Sequence, residues 1–154
     1  MPDPTRSSQT PPSDHSHSDH PSLYHFCFTV PDLPAAAEEL TELLGVRFGE
    51  PLHSEIGEWP YSIAFSETEP HIELISSVAG SPWEAQSPHF HHLGFWSSCL
   101  DRTLADWAEA GTEPVFDGRK YGRRFAYVDA PRSGVRLEAV DLSQQADFLS
   151  RWTR

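Results

Sequence analysis

Only two cysteines, Cys27 and Cys99, occur in the 154 residues of the chain. Two thiols with no secretory apolar segment ahead of them do not make a disulfide framework, so both are expected to be reduced and the protein cytoplasmic. No apolar run approaches the roughly 18 to 20 residues that span a bilayer as a helix. Basic charge is scarce as well: 11 Lys and Arg stand against 23 Asp and Glu, a net charge of -12 with histidine neutral. Such a chain repels phosphate backbones and anionic lipid at long range, so nucleic acid and membrane are excluded as expected partners. After Met1, residues 1–22 (MPDPTRSSQTPPSDHSHSDHPS) also lack any aliphatic or aromatic side chain. A segment that buries nothing cannot offset its ordering entropy, and it reads as a disordered N-terminal tail. Its His15, His17 and His20 make either a solvated linker or a weak transition-metal tract.

What the chain does have, from Leu23 onward, is a repeat. Tyr24-His25-Phe26-Cys27-Phe28-Thr29-Val30 aligns with His91-His92-Leu93-Gly94-Phe95-Trp96-Ser97 at an offset of 67, which sets His25 on His92 and Phe28 on Phe95. Each segment runs into a helical pattern: Leu33, Ala36, Ala37, Leu40, Leu43 and Leu44 in the first, Leu100, Leu104, Trp107 and Ala108 in the second. Asp32 is the expected N-cap of the first helix, and the two helices stop at Gly45 and Gly111. Three strand-like runs follow each helix, near 46–52, 61–66 and 71–76 and then near 112–116, 123–128 and 135–141. The last runs, HIELIS and VRLEAV, set Glu73 on Glu138 at an offset of 65. The expected fold is therefore α+β, two tandem βαβββ modules (23–80 and 88–142) forming a cupped, mostly antiparallel mixed sheet with helices on its convex face. A C-terminal helix over 143–154 is expected to dock through Phe148, Leu149 and Trp152.

Strand alternation assigns faces. Phe26, Phe28, Val30, Ile72, Leu74, Leu93, Phe95, Leu137 and Ala139 belong under the helices. The opposite face collects His25, Glu73, His92 and Glu138, one from each of four strands and all at repeat-matched positions. Each alone is an ordinary strand residue; the coincidence of type, position and parity in both halves makes them a candidate site. Two imidazoles and two carboxylates suit one divalent first-row ion (Ni, Co, Zn, Mn or Fe) with two coordination positions left for water or substrate. A structural zinc site more often uses thiolates and closes its shell. In the doublet His91-His92, parity makes His92 the ligand and turns His91 toward the helices as a half-buried packing or hydrogen-bonding residue.

On HFCFTVPDLPAAAEELTELLG, HIELIS, HHLGFWSSCLDRTLADWAEAG and FAYVDAPRSGVRLEAVD, the chain from about Leu23 to Leu142 resembles the vicinal oxygen chelate superfamily of glyoxalases, bleomycin-resistance proteins and extradiol dioxygenases. The resemblance implies paired modules with a metal in the cup, held by His25, Glu73, His92 and Glu138, formed within one chain or across a swapped homodimer. Four filled ligand positions are closest to the glyoxalase-like metalloenzymes, next to methylmalonyl-CoA epimerase; dioxygenases of this fold generally use three, and the drug-sequestering members have lost the metal. Two departures, Glu39-Leu40 in the first helix and Ala130-Pro131-Arg132-Ser133-Gly134 before the last strand, leave no support for a glutathione-conjugate substrate.

The expected activity is a lyase, isomerase or epimerase reaction on a small oxygen-chelating molecule, in which Glu138 or Glu73 moves a proton next to a carbonyl. The alternatives are an Fe(II) dioxygenase and a non-catalytic binding or resistance protein; the second is disfavoured because two carboxylates buried without a cation are costly. Expected substrate contacts are His71 and Arg136 on the ligand faces, with Trp96 and Cys27 lining the cup. Trp59 and Tyr61 either stack an aromatic ligand or fill the core. Arg119, Lys120, Arg123 and Arg124 form either a solvated turn or a spot for an anionic group.

Overall fold

The computed structural model describes residues 20–153; His15, His17 and nearly all of the tail lie outside them, and His20 is exposed. Eight strands form one sheet in the order β2-β3-β4-β1-β5-β8-β7-β6. In chain order these are β1 (Ser22–Val30), β2 (Leu52–Ile56), β3 (Trp59–Phe65), β4 (His71–Ser76), β5 (His89–Ser97), β6 (Pro114–Asp117), β7 (Phe125–Ala130) and β8 (Val135–Asp141). Helix α1 (Leu33–Leu44) follows β1, α2 (Leu100–Glu109) follows β5, and α3 (Gln145–Trp152) ends the described chain. The duplicated βαβββ order of the repeat is thus realised. Only β1/β4 and β5/β8 are parallel; the modules join through the antiparallel β1/β5 pair.

Local sequence accounts for most boundaries. Asp32 accepts the Ala35 N–H at 3.0 Å and caps α1, and Gly45 takes the left-handed conformation at φ 70° that ends the helix. The first expected strand, 46–52, is displaced. Pro51 has no N–H to give a ladder, so that stretch contributes only a Phe48/Ser66 bridge and β2 begins after it. Leu33, Ala36, Ala37 and Leu40 of α1 pack over Phe28, Val30, Ile72 and Leu74. Its last two leucines do not join this core: Leu43 and Leu44 remain exposed. Leu100, Leu104 and Trp107 of α2 cover Ala126, Val128, Leu137 and Ala139 in the same way.

The third helix docks through Phe148 and Trp152, two of the three residues expected to hold it. Phe148 of α3 stands against Tyr24, Phe65, His71 and Trp96, so α3 covers the concave face beside the cup rather than the convex one. Trp152 is buried with it, whereas Leu149 faces out. An aromatic residue on that side of the sheet needs an apolar partner as much as the helix does, and each supplies the other's.

Candidate metal centre

Two β-bulges decide what faces the cup. Along β1/β5 the register runs Leu23↔Phe95 and then His25↔Gly94, and runs Cys27↔His92 and then Phe28↔Phe90. Tyr24 is therefore an extra residue on β1, and His91 an extra residue on β5. A bulge resets alternation and re-aims the side chain it carries. Tyr24 stacks on Trp96 with ring centroids 3.8 Å apart and sits edge-on to His25 at 4.3 Å. His91 lies 5.1 Å from the His92 ring and 5.4 Å from the Tyr127 ring. Strict alternation turned His91 toward the helices; the bulge corrects this, and His91 shares the face of His92.

His25, Glu73, His92 and Glu138 converge between the modules, all four buried. His25 Nε2 is 2.9 Å from His92 Nε2, 2.8 Å from Glu73 Oε2 and 3.2 Å from Glu138 Oε2. His92 Nε2 is 3.3 Å and 3.2 Å from the same two oxygens. Donors bound at about 2.1 Å to one ion stand about 3 Å apart when adjacent, which is the spacing found. A second feature fits a cation. Glu73 Oε2 is buried with no aligned hydrogen-bond donor despite its closeness to His25, and an acceptor in that state is what a positive ion satisfies. The residues present fit a divalent metal. Gly94 makes the approach feasible: it stands across from His25, and a Cβ there would overlap the imidazole.

The field within the cluster is strong. Burial alone would push His25 down, but Glu73 and Glu138 outweigh it and hold the imidazole up at about 9. His92 is raised by the same two carboxylates against its burial, and both carboxylates are held below their usual range by the imidazoles. His91 goes the other way, down to about 4, through burial and the neighbouring charge of His92. Without an ion, protons take its place in the cluster.

A cavity of about 240 Å³ opens over the centre, with Glu73 and Glu138 at its inner wall and Tyr24, Tyr61, Trp83 and Tyr127 among its aromatic sides. Arg123, Arg124 and Gln144 also border it. Of the basic residues near this end, Arg119 is paired with Asp101 and Asp117 and Arg124 with Asp141. Arg123 bonds only neutral oxygens, Ser54 Oγ at 3.1 Å and the Glu55 carbonyl at 2.6 Å. A larger groove of about 660 Å³ lies on the other face, between α1 and the start of β5, and holds none of the four cluster residues.

Of the seven expected substrate contacts, Tyr61 and Arg123 line the cavity and five do not. His71 is covered by Phe148 and bonded through Nδ1 to the Ser66 carbonyl. Trp96 is occupied by Tyr24 and Phe148. Cys27 is fully buried in the core with Ile75 and Tyr127. Arg136 is held by Asp129, and Trp59 packs against Phe116 and Tyr121. Trp83 and Tyr127 went unanticipated. Tyr127 was available from the alternation of β7. Trp83, whose indole N–H donates to the Tyr127 hydroxyl at 3.0 Å, sits in the linker between modules, where no periodicity exists to read.

Paired βαβββ modules sharing one cup, with a His/Glu cluster at their junction, define a class: cupped-sheet proteins built by duplication around a central polar site. The family model for the Glyoxalase/Bleomycin resistance protein/Dioxygenase superfamily matches residues 8–127, and the chain belongs to that superfamily. No curated protein matches by sequence. Among solved structures, methylmalonyl-CoA epimerase from Mycobacterium tuberculosis superposes with a TM-score of 0.61 at 21% identity, over 82% of this chain and 91% of that one. A Streptomyces coelicolor methylmalonyl-CoA epimerase in complex with 2-nitronate-propionyl-CoA gives 0.59 at 19%, over 78% and 96%. A variant of 4-hydroxymandelate synthase from Streptomyces coelicolor gives 0.57 at 16%, over 79% of this chain and 48% of that one. At these identities the likeness is one of fold.

Proposed function

We propose that the protein is a divalent-metal-dependent enzyme of the lyase, isomerase or epimerase type, moving a proton next to a carbonyl on a small oxygen-chelating substrate. The observation that carries this reading is the convergence of His25, Glu73, His92 and Glu138 donor atoms at the inner wall of a cavity sized for a small molecule. His25, Glu73, His92 and Glu138 would hold the ion, and Ni, Co, Zn, Mn and Fe all suit the donor set. When bound, such an ion supplies Lewis acidity, polarising a chelated oxygen so that the adjacent C–H is more readily deprotonated.

The chain's own residues do the rest. Glu73 and Glu138 reach the cavity while the two imidazoles lie fully buried behind them, so a carboxylate is the group that meets the substrate carbon. Glu138 takes the proton and returns it to the neighbouring or the opposite position. Tyr61 and Tyr127 exclude water from the carbanionic side. Arg123 receives an anionic group, its charge being matched by no carboxylate among the described residues. His25, Glu73, His92 and Glu138 would all be available to hold the ion, a fuller protein donor set than the two His and one carboxylate of the Fe(II) oxygenase triad, which favours proton transfer over an Fe(II) dioxygenase. All four donors belong to one chain, so a homodimer, where formed, need not complete the centre.

Elemental analysis of the purified wild type, Glu73→Gln and His92→Ala tests the centre. The proposal expects near-stoichiometric metal in the wild type and loss of it in both variants. Incubation of the loaded protein with small 2-oxo and 2-hydroxy acids and thioesters in deuterated water, with oxygen uptake followed in parallel, tests the chemistry. Deuterium entry without oxygen uptake supports the reading; oxygen consumption would replace it with the dioxygenase, and metal-free wild type with a binding protein.

A further inference from the structure

We infer that His91 is the positioning residue for His92, fixing its tautomer so that the bare Nε2 faces the cluster. A chain of contacts runs inward from the linker to the cluster. His91 Nε2 is 2.8 Å from the Pro82 carbonyl oxygen. A carbonyl only accepts, so His91 carries its proton on Nε2. Neutral His91 then has a bare Nδ1, and this atom lies 2.8 Å from His92 Nδ1. His92 must donate there, so that in its neutral form, the form that binds a metal, Nε2 is bare and turns a lone pair toward His25, Glu73 and Glu138. Arg136 Nη1 also approaches His91 Nε2, at 3.3 Å. It is a donor at longer range, its fork is taken by Asp129, and it leaves the shorter carbonyl contact to decide the tautomer.

The carbonyl is itself anchored. Trp83, next in the chain, is buried, donates its backbone N–H to Ser81 Oγ at 3.0 Å and donates its indole N–H to Tyr127. Such outer partners orient metal-binding imidazoles generally, and losing one costs about 10- to 100-fold in metal affinity.

The repeat supplies an internal control. Tyr24 stands where His91 stands, each the extra residue of a bulge just before a cluster histidine. Tyr24 offers His25 only a ring edge, and among the described residues His25 Nδ1 has no hydrogen-bond partner. One module dictates its histidine's tautomer and the other does not. Duplication provided two equivalent positions, and only the second has an imidazole in it.

The affinity part of this inference rests on the metal reading; the tautomer part does not. Long-range 15N–1H NMR of the metal-free wild type at pH 10, chosen to leave imidazoles uncharged, is expected to show His92 protonated on Nδ1. In His91→Leu that preference is expected to be lost, and affinity for Co(II) or Zn(II), by competition with a chromophoric chelator, to fall about 10- to 100-fold. His91→Asn retains an acceptor at the Nδ1 position and is expected to restore both readouts to within about threefold of wild type in affinity. A wild-type His92 protonated on Nε2 overturns the inference, and so does a folded His91→Leu variant with unchanged tautomer and affinity. If wild type binds no metal, the proposed function fails while the tautomer measurement still decides the role of His91.

Discussion

His25 Nε2 and His92 Nε2 face each other at 2.9 Å across the junction of the modules. Two nitrogens of one kind cannot both present a proton along that line, and the two carboxylates beside them favour a positive charge within the cluster. In the metal-free protein it is protons, with His25 held up at about 9 by Glu73 and Glu138 despite burial. A metal must displace them. Apparent affinity is therefore expected to fall as pH drops below about 9, by about tenfold per pH unit for each proton displaced. Chelator competition between pH 6.5 and 9.5 measures it, and a flat profile would mean that the ion binds elsewhere.

The same shift makes a statement about stability. A histidine whose folded pKa lies above its unfolded value contributes stability that is complete below the unfolded value and lost as pH rises through the folded one. For His25 that window opens near 6.5 and closes near 9. Metal-free protein is expected to lose melting temperature across it, and metal-loaded protein to lose less, since the ion takes over from the proton. Glu73→Gln, lacking the carboxylate that raises His25 most, should flatten the metal-free curve; a Glu73→Gln curve as steep as wild type would contradict this origin.

Gly94 offers a sharper structural test. A side chain there collides with the His25 ring, so Gly94→Ala is expected to expel that imidazole and abolish metal binding, with a stability loss of about 1 to 3 kcal/mol from overpacking. Gly111 is the control. It ends the second helix at φ 88° with nothing nearby, and Gly111→Ala should cost roughly 1 kcal/mol of backbone strain while metal binding is unchanged. Isothermal titration and denaturant melts separate the two.

The contrast between His25 and His91 shows how far the sequence carries. His25, Glu73, His92 and Glu138 were legible because duplication writes the site twice, and matched positions survive small errors in strand ends. The fold order was legible for the same reason. His91 was not, because parity arguments assume an unbroken ladder, and one extra residue inverts every inference on one side of it. For His71, Trp96 and Cys27 alternation gives the face but not the covering: it says nothing of what α3 or the core places on top. The linker residue Trp83 had no pattern to betray it at all.

Arg123 carries the remaining prediction, about what the substrate brings. The neighbouring guanidinium of Arg124 is bound to Asp141 at 2.6 Å, and that of Arg119 lies between two aspartates. Arg123 alone among these three lines the cavity without a carboxylate partner among the described residues, braced by Ser54 and the Glu55 carbonyl. Neutral acceptors orient a guanidinium without consuming its charge, which leaves its free N–H groups to meet an anion. A hydrogen bond to a charged group contributes about 1.5 to 3 kcal/mol, or roughly 10- to 150-fold in binding. With whichever acid the exchange assay identifies, Arg123→Ala is expected to raise KM by about that factor while kcat changes less than about threefold, since its proposed part is to hold the anionic group and not to move the proton. Arg123→Lys should recover part of the loss, a point charge replacing a planar fork. Arg124→Ala, which breaks a half-exposed pair, should change KM little. Equal losses in KM for Arg123→Ala and Arg124→Ala would instead make the effect one of general field, and a loss confined to kcat would place Arg123 in the chemistry rather than in recognition.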